Sequence, residues 1–465
     1  MNTTFNLADI QGNILRGYRR DFVRHLILEV TDKVTARRFL AAAVDGSSTD
    51  VPAITRDVTW KVRPPFCFNI GITFEGLRAL GTPSQHLNTF PTEFKHGMTK
   101  RAIKIGDFGK SAPENWPAPF DQPDRVHLIA SIHADDEAHL DQIEAQVAKA
   151  FTVLGVRNGR NLPDGKVFFG YVDGISQPRF KHVIDPDMKD VDEPMDPLGT
   201  ALLGYPTKQE GVLYRVPTPH ELGFNGSFNA FRVLEQDAAA FEAYLDAAAS
   251  TLMDHPKKHL LANPDRLDLI GKDLDMHGAL REVVAAQMCG RWRNGVPYEL
   301  SPDAQFPETE VSPTNFDYTH ASRCPAGSHL RRGNPRGGPI VQRIANYTRR
   351  LVRRGMSYGP DFDPRNPDSR ERGLLGSFIG ANIAAQFEAV MCDWINLGLQ
   401  DPNITGANDP LLGANTPETS WFDMTLSDGD SIRLYGFPRL IFTRGGAYTF
   451  LPSLAAIKYL SELTD

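Results

Sequence analysis

Apolar periodicity between residues 22 and 171 constrains the fold more than any other feature of this chain. Residues 22–30 alternate in part and are rich in β-formers, which predicts a strand. Residues 34–43 carry helical spacing. Residues 66–74 and 126–132 predict two more strands, with a short helix opening at 76–80. Residues 136–150 return to helical spacing, and the apolar run 167–171 predicts a fourth strand. This βαββαβ order points to a ferredoxin-like α+β unit.

A second α+β unit is expected further on. Residues 225–233 predict a strand, 237–253 an amphipathic helix and 279–291 another helix. The glycine-rich apolar run 373–381 predicts a buried strand, and 384–394 a helix. Strands are expected at 437–442 and 447–451 around the turn Arg444-Gly445-Gly446, and a helix at 454–463. Between the units, Pro186, Pro194, Pro197, Pro206, Pro217 and Pro219 punctuate a linker. The expected division is 1–180, a linker at 181–220, and 221–465. There is no short internal repeat.

At 465 residues the chain is long enough for two or three packed units. An apolar share of 41% with 23% charged is that of a globular enzyme. The net charge of −7 gives no general attraction to nucleic acid or an anionic membrane. Arg349, Arg350, Arg353 and Arg354 do cluster. In an acidic chain, such a cluster serves internal ion pairs or a cofactor carboxylate more often than a phosphate. The four cysteines, Cys67, Cys289, Cys324 and Cys392, form no Cys-x-x-Cys pair. Zinc fingers, iron–sulfur runs and covalent c-type haem attachment are therefore unsupported. Sparse cysteines, no secretory pattern at Met1-Asn2-Thr3-Thr4-Phe5 and no run of about 18 apolar residues lead to an expectation of cytoplasmic residence.

The segment Gly170-Tyr171-Val172-Asp173-Gly174-Ile175-Ser176-Gln177-Pro178 sets one carboxylate between glycines at the end of an apolar run. Glycine permits the tight turn and close approach to the backbone. An ordinary turn aspartate is the alternative. Two further motifs follow: Cys324-Pro325-Ala326-Gly327-Ser328-His329-Leu330-Arg331-Arg332-Gly333-Asn334-Pro335-Arg336, then Arg353-Arg354-Gly355-Met356-Ser357-Tyr358-Gly359. Taken together and in this order, the three resemble the dye-decolourising peroxidases, a haem family. Asp9-Ile10-Gln11-Gly12-Asn13-Ile14-Leu15, Asn225-Gly226-Ser227, Gly290-Arg291-Trp292, Asn408-Asp409-Pro410-Leu411 and Arg444-Gly445-Gly446 are similar to further family blocks. The length and the absence of a leader resemble the larger, intracellular bacterial subgroup.

The resemblance implies an α+β fold of two ferredoxin-like halves with antiparallel sheets, of the dimeric α+β barrel type. One non-covalent haem b is expected in the second half. His329 is then the proximal iron ligand. Its other ring N–H needs an acceptor, either Glu388 or another downstream carboxylate, with Glu388 exposed on a helix as the alternative. Asp173 is the expected acid–base residue for peroxide. Free Asp ionises near about 3.9 and His near about 6.5, so an aspartate base implies an acidic activity optimum. Arg353 is the expected distal cation, with Arg354 as its competitor. Arg336 and Arg350, with Arg331, are candidates for the haem propionates.

The implied activity is reduction of hydrogen peroxide through an oxyferryl state, with dyes, phenolics or similar one-electron donors oxidised in turn. Trp394, Trp421, Tyr347 and Tyr358 are candidate electron relays, core packing being the commoner role for such residues. In one departure, Gly376 stands where the family often has an aromatic residue after Gly373-Leu374-Leu375, with Phe378 two residues on. A haem-handling protein with incidental peroxidase activity is the first alternative, and an idle α+β binding module the second. Gly355-x-Ser357-x-Gly359 fits a hydrolase elbow formally, but Pro360 follows where a helix is required. No nucleic-acid or membrane partner is expected, and oligomeric state is left open.

Overall fold

The computed structural model describes residues 5–181, 183, 195–209, 211–320, 323–341 and 347–464. Residues 184–194, with Pro186 and Pro194 of the expected linker, and Met1–Thr4 lie outside the described residues.

The strands are β1 (Phe22–Glu29), β2 (Phe66–Ile72), β3 (Leu128–Ala134), β4 (Thr152–Arg160), β5 (Ser227–Gln236), β6 (Val352–Tyr358), β7 (Gly373–Gly380), β8 (Trp421–Thr425), β9 (Ser431–Tyr435) and β10 (Ile441–Leu451). All except the β8–β9 hairpin close into one barrel, in the order β1-β3-β2-β10-β5-β7-β6-β4. Every pairing is antiparallel. Strands from the first part of the chain meet those from the second at Phe450↔Ile72 and at Arg160↔Ser357.

Side chains alternate between the barrel interior and its outer face. Helices Lys33–Asp45 and Glu137–Val147 lie outside β1–β3, where Leu40, Leu140 and Ile143 share a core with Leu26, Phe68 and Ile132. Both helices start where the sequence supplies a cap: Asp32 and Asp136 accept backbone N–H bonds. Helices Ala238–Met253 and Met276–Cys289 build a second core with the β8–β9 hairpin through Phe241, Leu280, Val284 and Phe422. The barrel interior mixes polar and apolar side chains. Asn69, Ser131, His133, Asn229, Ser377 and Thr449 line a cavity of about 40 Å³ together with Ile129, Phe231, Ile379 and Leu451, and buried His25 packs against Phe231.

The architecture is the expected one, with local differences. Residues 167–171 form a turn, and the fourth strand is β4 at 152–160. Gly155 and Gly159 make β4 read as loop, yet close packing requires them. A Cβ at 155 would sit 2.9 Å from Pro119, and one at 159 would sit 2.8 Å from Val23. Arg444-Gly445-Gly446 is a bulge within one long strand, β10, and not a turn between two strands. Residues 383–396 wind in wide π-type turns, Ile383–Glu388 and Val390–Asn396.

Candidate active site

The turn that carries Asp173 is pinned from several sides. Val167 N–H donates to Tyr171 O (2.9 Å), Asp173 N–H to Gly165 O (2.9 Å) and Val172 N–H to Arg293 O (2.9 Å). The buried Tyr171 hydroxyl donates to Ala285 O at 2.7 Å. Gly170 and Gly174 take φ of +84° and +74°, values that suit glycine. Asp173 itself stays exposed.

The next residues tie this turn to β6. Gln177 Nε2 donates to Arg353 O (2.8 Å) and its Oε1 accepts from Arg353 N–H (2.9 Å). The Arg353 guanidinium also donates to Ser176 O. Alternation along β6 then separates the arginine pair. Arg354 donates to the backbone oxygens of Asn13 and Ile14, whereas Arg353 lies on the outer face beside Phe378 of β7. Arg353 keeps an exposed surface, yet the protein packed around its guanidinium pulls it down to about 10 by desolvation, opposed by Asp173 and reinforced by Arg350 and Arg336. Arg353 therefore stays charged at neutral pH.

His329 opens the short helix His329–Gly333. Its Nδ1 donates to Asp409 Oδ2 at 2.9 Å, and the Asp409 side chain is fully buried. The other oxygen, Asp409 Oδ1, accepts the N–H groups of Leu411 and Leu412 at 2.9 and 2.8 Å. Burial opposes charge on the imidazole, but the Asp409 carboxylate outweighs it and raises the His329 pKa; Arg353 acts against this. Burial likewise raises Asp409, while His329 and Arg332 hold it below the usual carboxylate range. The His329 side chain keeps 40% of its surface open, and Nε2 has no hydrogen-bond partner among the described residues.

Asp409 is thus the acceptor left open between Glu388 and another downstream carboxylate. Glu388 is fully buried elsewhere, bound by Arg101, Lys104 and the Tyr448 hydroxyl. Sequence reasoning gave Asp409 no role, although the Asn408-Asp409-Pro410-Leu411 block was visible. It also missed Arg332, which is 1% exposed and donates to Gly327 O (2.9 Å), Trp394 O (3.0 Å) and Ala407 O (2.9 Å).

Arg336 donates to Thr314 O (2.6 Å) and Ser176 Oγ (3.2 Å), with its guanidinium 4.2 Å from the Phe316 ring centre. Arg350 pairs with buried Asp196 at 2.6 Å, and Arg349 with Asp393 at 2.8 Å. Arg331 donates to Cys324 O. Trp394 and Tyr358 are buried, so neither offers a surface; Trp421 is half-buried under Arg433, 3.8 Å from its ring centre, and Tyr347 is half-buried beside Lys208.

These residues fit a haem. An imidazole with one nitrogen held by a carboxylate and the other open suits an axial ligand. Arg336 and Arg350 both act on Arg353 as nearby positive charges, and although Arg350 is also paired with Asp196, positive charge there suits propionates. Between Arg353 and the rest of the outer face, a Cβ at Gly355 would meet only Leu375 O, at 3.7 Å, leaving a flat open floor.

Residues 9–158 match the family model described as the DyP dimeric alpha+beta barrel domain. A dye-decolorizing peroxidase of Exidia glandulosa is 27% identical over 98% of this chain and 87% of its own. The multifunctional dye peroxidase DyP2 of an Amycolatopsis strain is 28% identical over 98% of this chain and 96% of its own. A solved dye-decolorizing peroxidase in complex with 2,6-dimethoxyphenol superposes with a TM-score of 0.79, at 26% identity, covering 98% of this chain and 100% of that one. Along nearly its whole length this chain is similar to dye-decolourising peroxidases, and its first third matches their barrel domain. It is a haem peroxidase, and its barrel is the α+β barrel of those proteins. No described helix is long and apolar enough to cross a membrane.

Proposed function

We propose that this dye-decolourising peroxidase holds one non-covalent haem b between His329 and Arg353, reduces hydrogen peroxide there, and oxidises dyes or phenolics. The relative solved with 2,6-dimethoxyphenol supports a phenolic donor. Non-covalent binding accords with the lack of a paired Cys-x-x-Cys attachment motif. Cytoplasmic residence is part of the same reading, supported by cysteines that are all free. So is a division of labour in which 1–180 carries the acid–base turn, 181–220 links, and 221–465 binds haem.

The observation that supports the reading is the Asp409-held imidazole with its Nε2 open, near enough to Arg353 to feel its charge, while Asp173 acts on Arg353 in turn. Bound haem would supply the iron that takes up peroxide and the electrons that cleave its O–O bond. His329 would ligate through Nε2, while Asp409 fixes the Nδ1 proton and the ring plane. Arg336 and Arg350 would receive the propionates. On the other side, Asp173 would take the proton from the near peroxide oxygen and return it to the departing one, releasing water. Arg353 would stabilise the negative charge that develops as the bond breaks.

Replacing Asp173→Asn or Arg353→Leu is expected to leave haem bound and to slow the reaction with hydrogen peroxide by at least about 100-fold. His329→Ala is expected to lose haem or change its ligation. Stopped-flow rates with the haem content of each variant check this. Full peroxide reactivity in both distal variants would sink the assignment.

A further inference from the structure

Strand β7 presents Leu374, Gly376 and Phe378 to the outer face that also carries Arg353 and Gly355 of β6. Cross-strand pairs are Arg353↔Phe378 and Gly355↔Gly376. The Phe378 side chain bends back along its strand. A Cβ at Gly376 would lie 2.8 Å from Phe378 Cε2 and 3.1 Å from its Cζ. The ring therefore occupies the place that a side chain at 376 would take, and it fits there only because 376 is glycine.

Phe378 is not a fully enclosed core residue. Phe228 and Phe231 of adjoining β5 are 2% and 1% exposed, whereas Phe378 is half-buried at the border of both hydrophobic cores. Its other neighbour is Phe387, 5.5 Å away between ring centres, which holds the ring from behind. Phe378 thus keeps part of its surface open on the face that carries Arg353, its register partner across the ladder, with its ring lying over Gly376.

We propose that Phe378 is the specificity-determining residue on the peroxide side: its ring admits hydrogen peroxide to Arg353 and shuts out bulky organic hydroperoxides. This rests on the reading of Arg353 as the peroxide-side cation. Hydrogen peroxide is two oxygen atoms wide and passes beside the ring. An aryl or tertiary alkyl hydroperoxide brings a group that must take the space Phe378 fills. Truncation at 378 opens that space without touching Arg353, Asp173 or His329.

The test uses haem-loaded wild type, Phe378→Ala and Phe378→Leu, with two readouts. One is the rate of loss of the ferric Soret band with cumene hydroperoxide relative to hydrogen peroxide. The other is equilibrium binding of imidazole relative to cyanide in the resting protein, followed by the Soret shift. Phe378→Ala is expected to raise both ratios by at least about tenfold, and Phe378→Leu by at least about threefold. Ratios within about twofold of wild type in variants that retain haem would overturn the proposal. If the alanine variant loses haem, the leucine variant decides by the same criteria. Arg353→Leu, run in parallel, separates the two readings. If it slows the hydrogen peroxide reaction while the Phe378 ratios stay flat, only the Phe378 proposal falls. If it leaves that reaction unchanged, the reading of Arg353 falls and takes the proposal with it.

Discussion

His329 and Asp409 stand 80 positions apart in sequence and 2.9 Å apart in space. Asp409 is fixed before it meets the imidazole, since its second oxygen already binds two backbone N–H groups. A neutral amide in its place keeps the shape and removes the charge that favours the Nδ1 proton. Asp409→Asn is therefore expected to weaken haem binding by about 10- to 100-fold, measured by Soret titration of the apoprotein. Affinity equal to wild type would show that Asp409 is not the partner that matters. His329 was legible from its motif, but Asp409 was not. Local periodicity says nothing about which distant loop returns to a given imidazole. Glu388 looked eligible only because its engagement by Arg101, Lys104 and Tyr448 is equally invisible in sequence.

Among the elements, β6 decides which arginine faces the proposed haem site. A strand sends Arg353 and Arg354 to opposite faces, so only one of the pair can reach it. Sequence reading chose the first of the pair by resemblance and did not anticipate a strand there, because glycine and two arginines disguise one. The short helix His329–Gly333 is held by Arg332. Its guanidinium joins the carbonyl two residues before His329 to the carbonyl two residues before Asp409, with Trp394 as a third anchor. Arg332→Met would leave three buried acceptors without this donor, each worth about 1–3 kcal/mol. The variant is expected to lose about 3 kcal/mol or more of stability, read by denaturant unfolding, and Arg332→Lys should restore little because one ammonium cannot span all three. Wild-type stability in Arg332→Met would show that the clamp is dispensable.

For the whole molecule, the central fact is a closed barrel with histidines buried in its interior. Strands β1, β2, β3, β5 and β7 and the helices packed on them were legible from apolar periodicity, because one face of each is buried, whereas β4, β6 and the β8–β9 hairpin were not. Closure across Phe450↔Ile72 and Arg160↔Ser357 was not, since β4 carries glycines where other strands pass close. Burial lowers the pKa of interior His25 to about 3, and burial, aided by His25, Arg20 and Arg354, lowers that of His133 to about 3. Both are neutral in the folded barrel. Below the ordinary histidine value of about 6.5, the unfolded chain binds protons that the folded one refuses. Stability is therefore expected to fall as pH drops from about 6.5 towards 3. The thermal midpoint of His133→Asn should depend less on pH over that range, and an unchanged slope would contradict the assignment. The central claim, that this barrel presents His329 and the Arg353–Asp173 pair to a haem that activates peroxide, is tested most directly by mixing the haem-reconstituted protein with one equivalent of hydrogen peroxide. A strong ferric Soret band that shifts to that of oxidised haem within the mixing time is predicted. A band that only bleaches slowly, or no Soret band from folded protein supplied with haem, would contradict it.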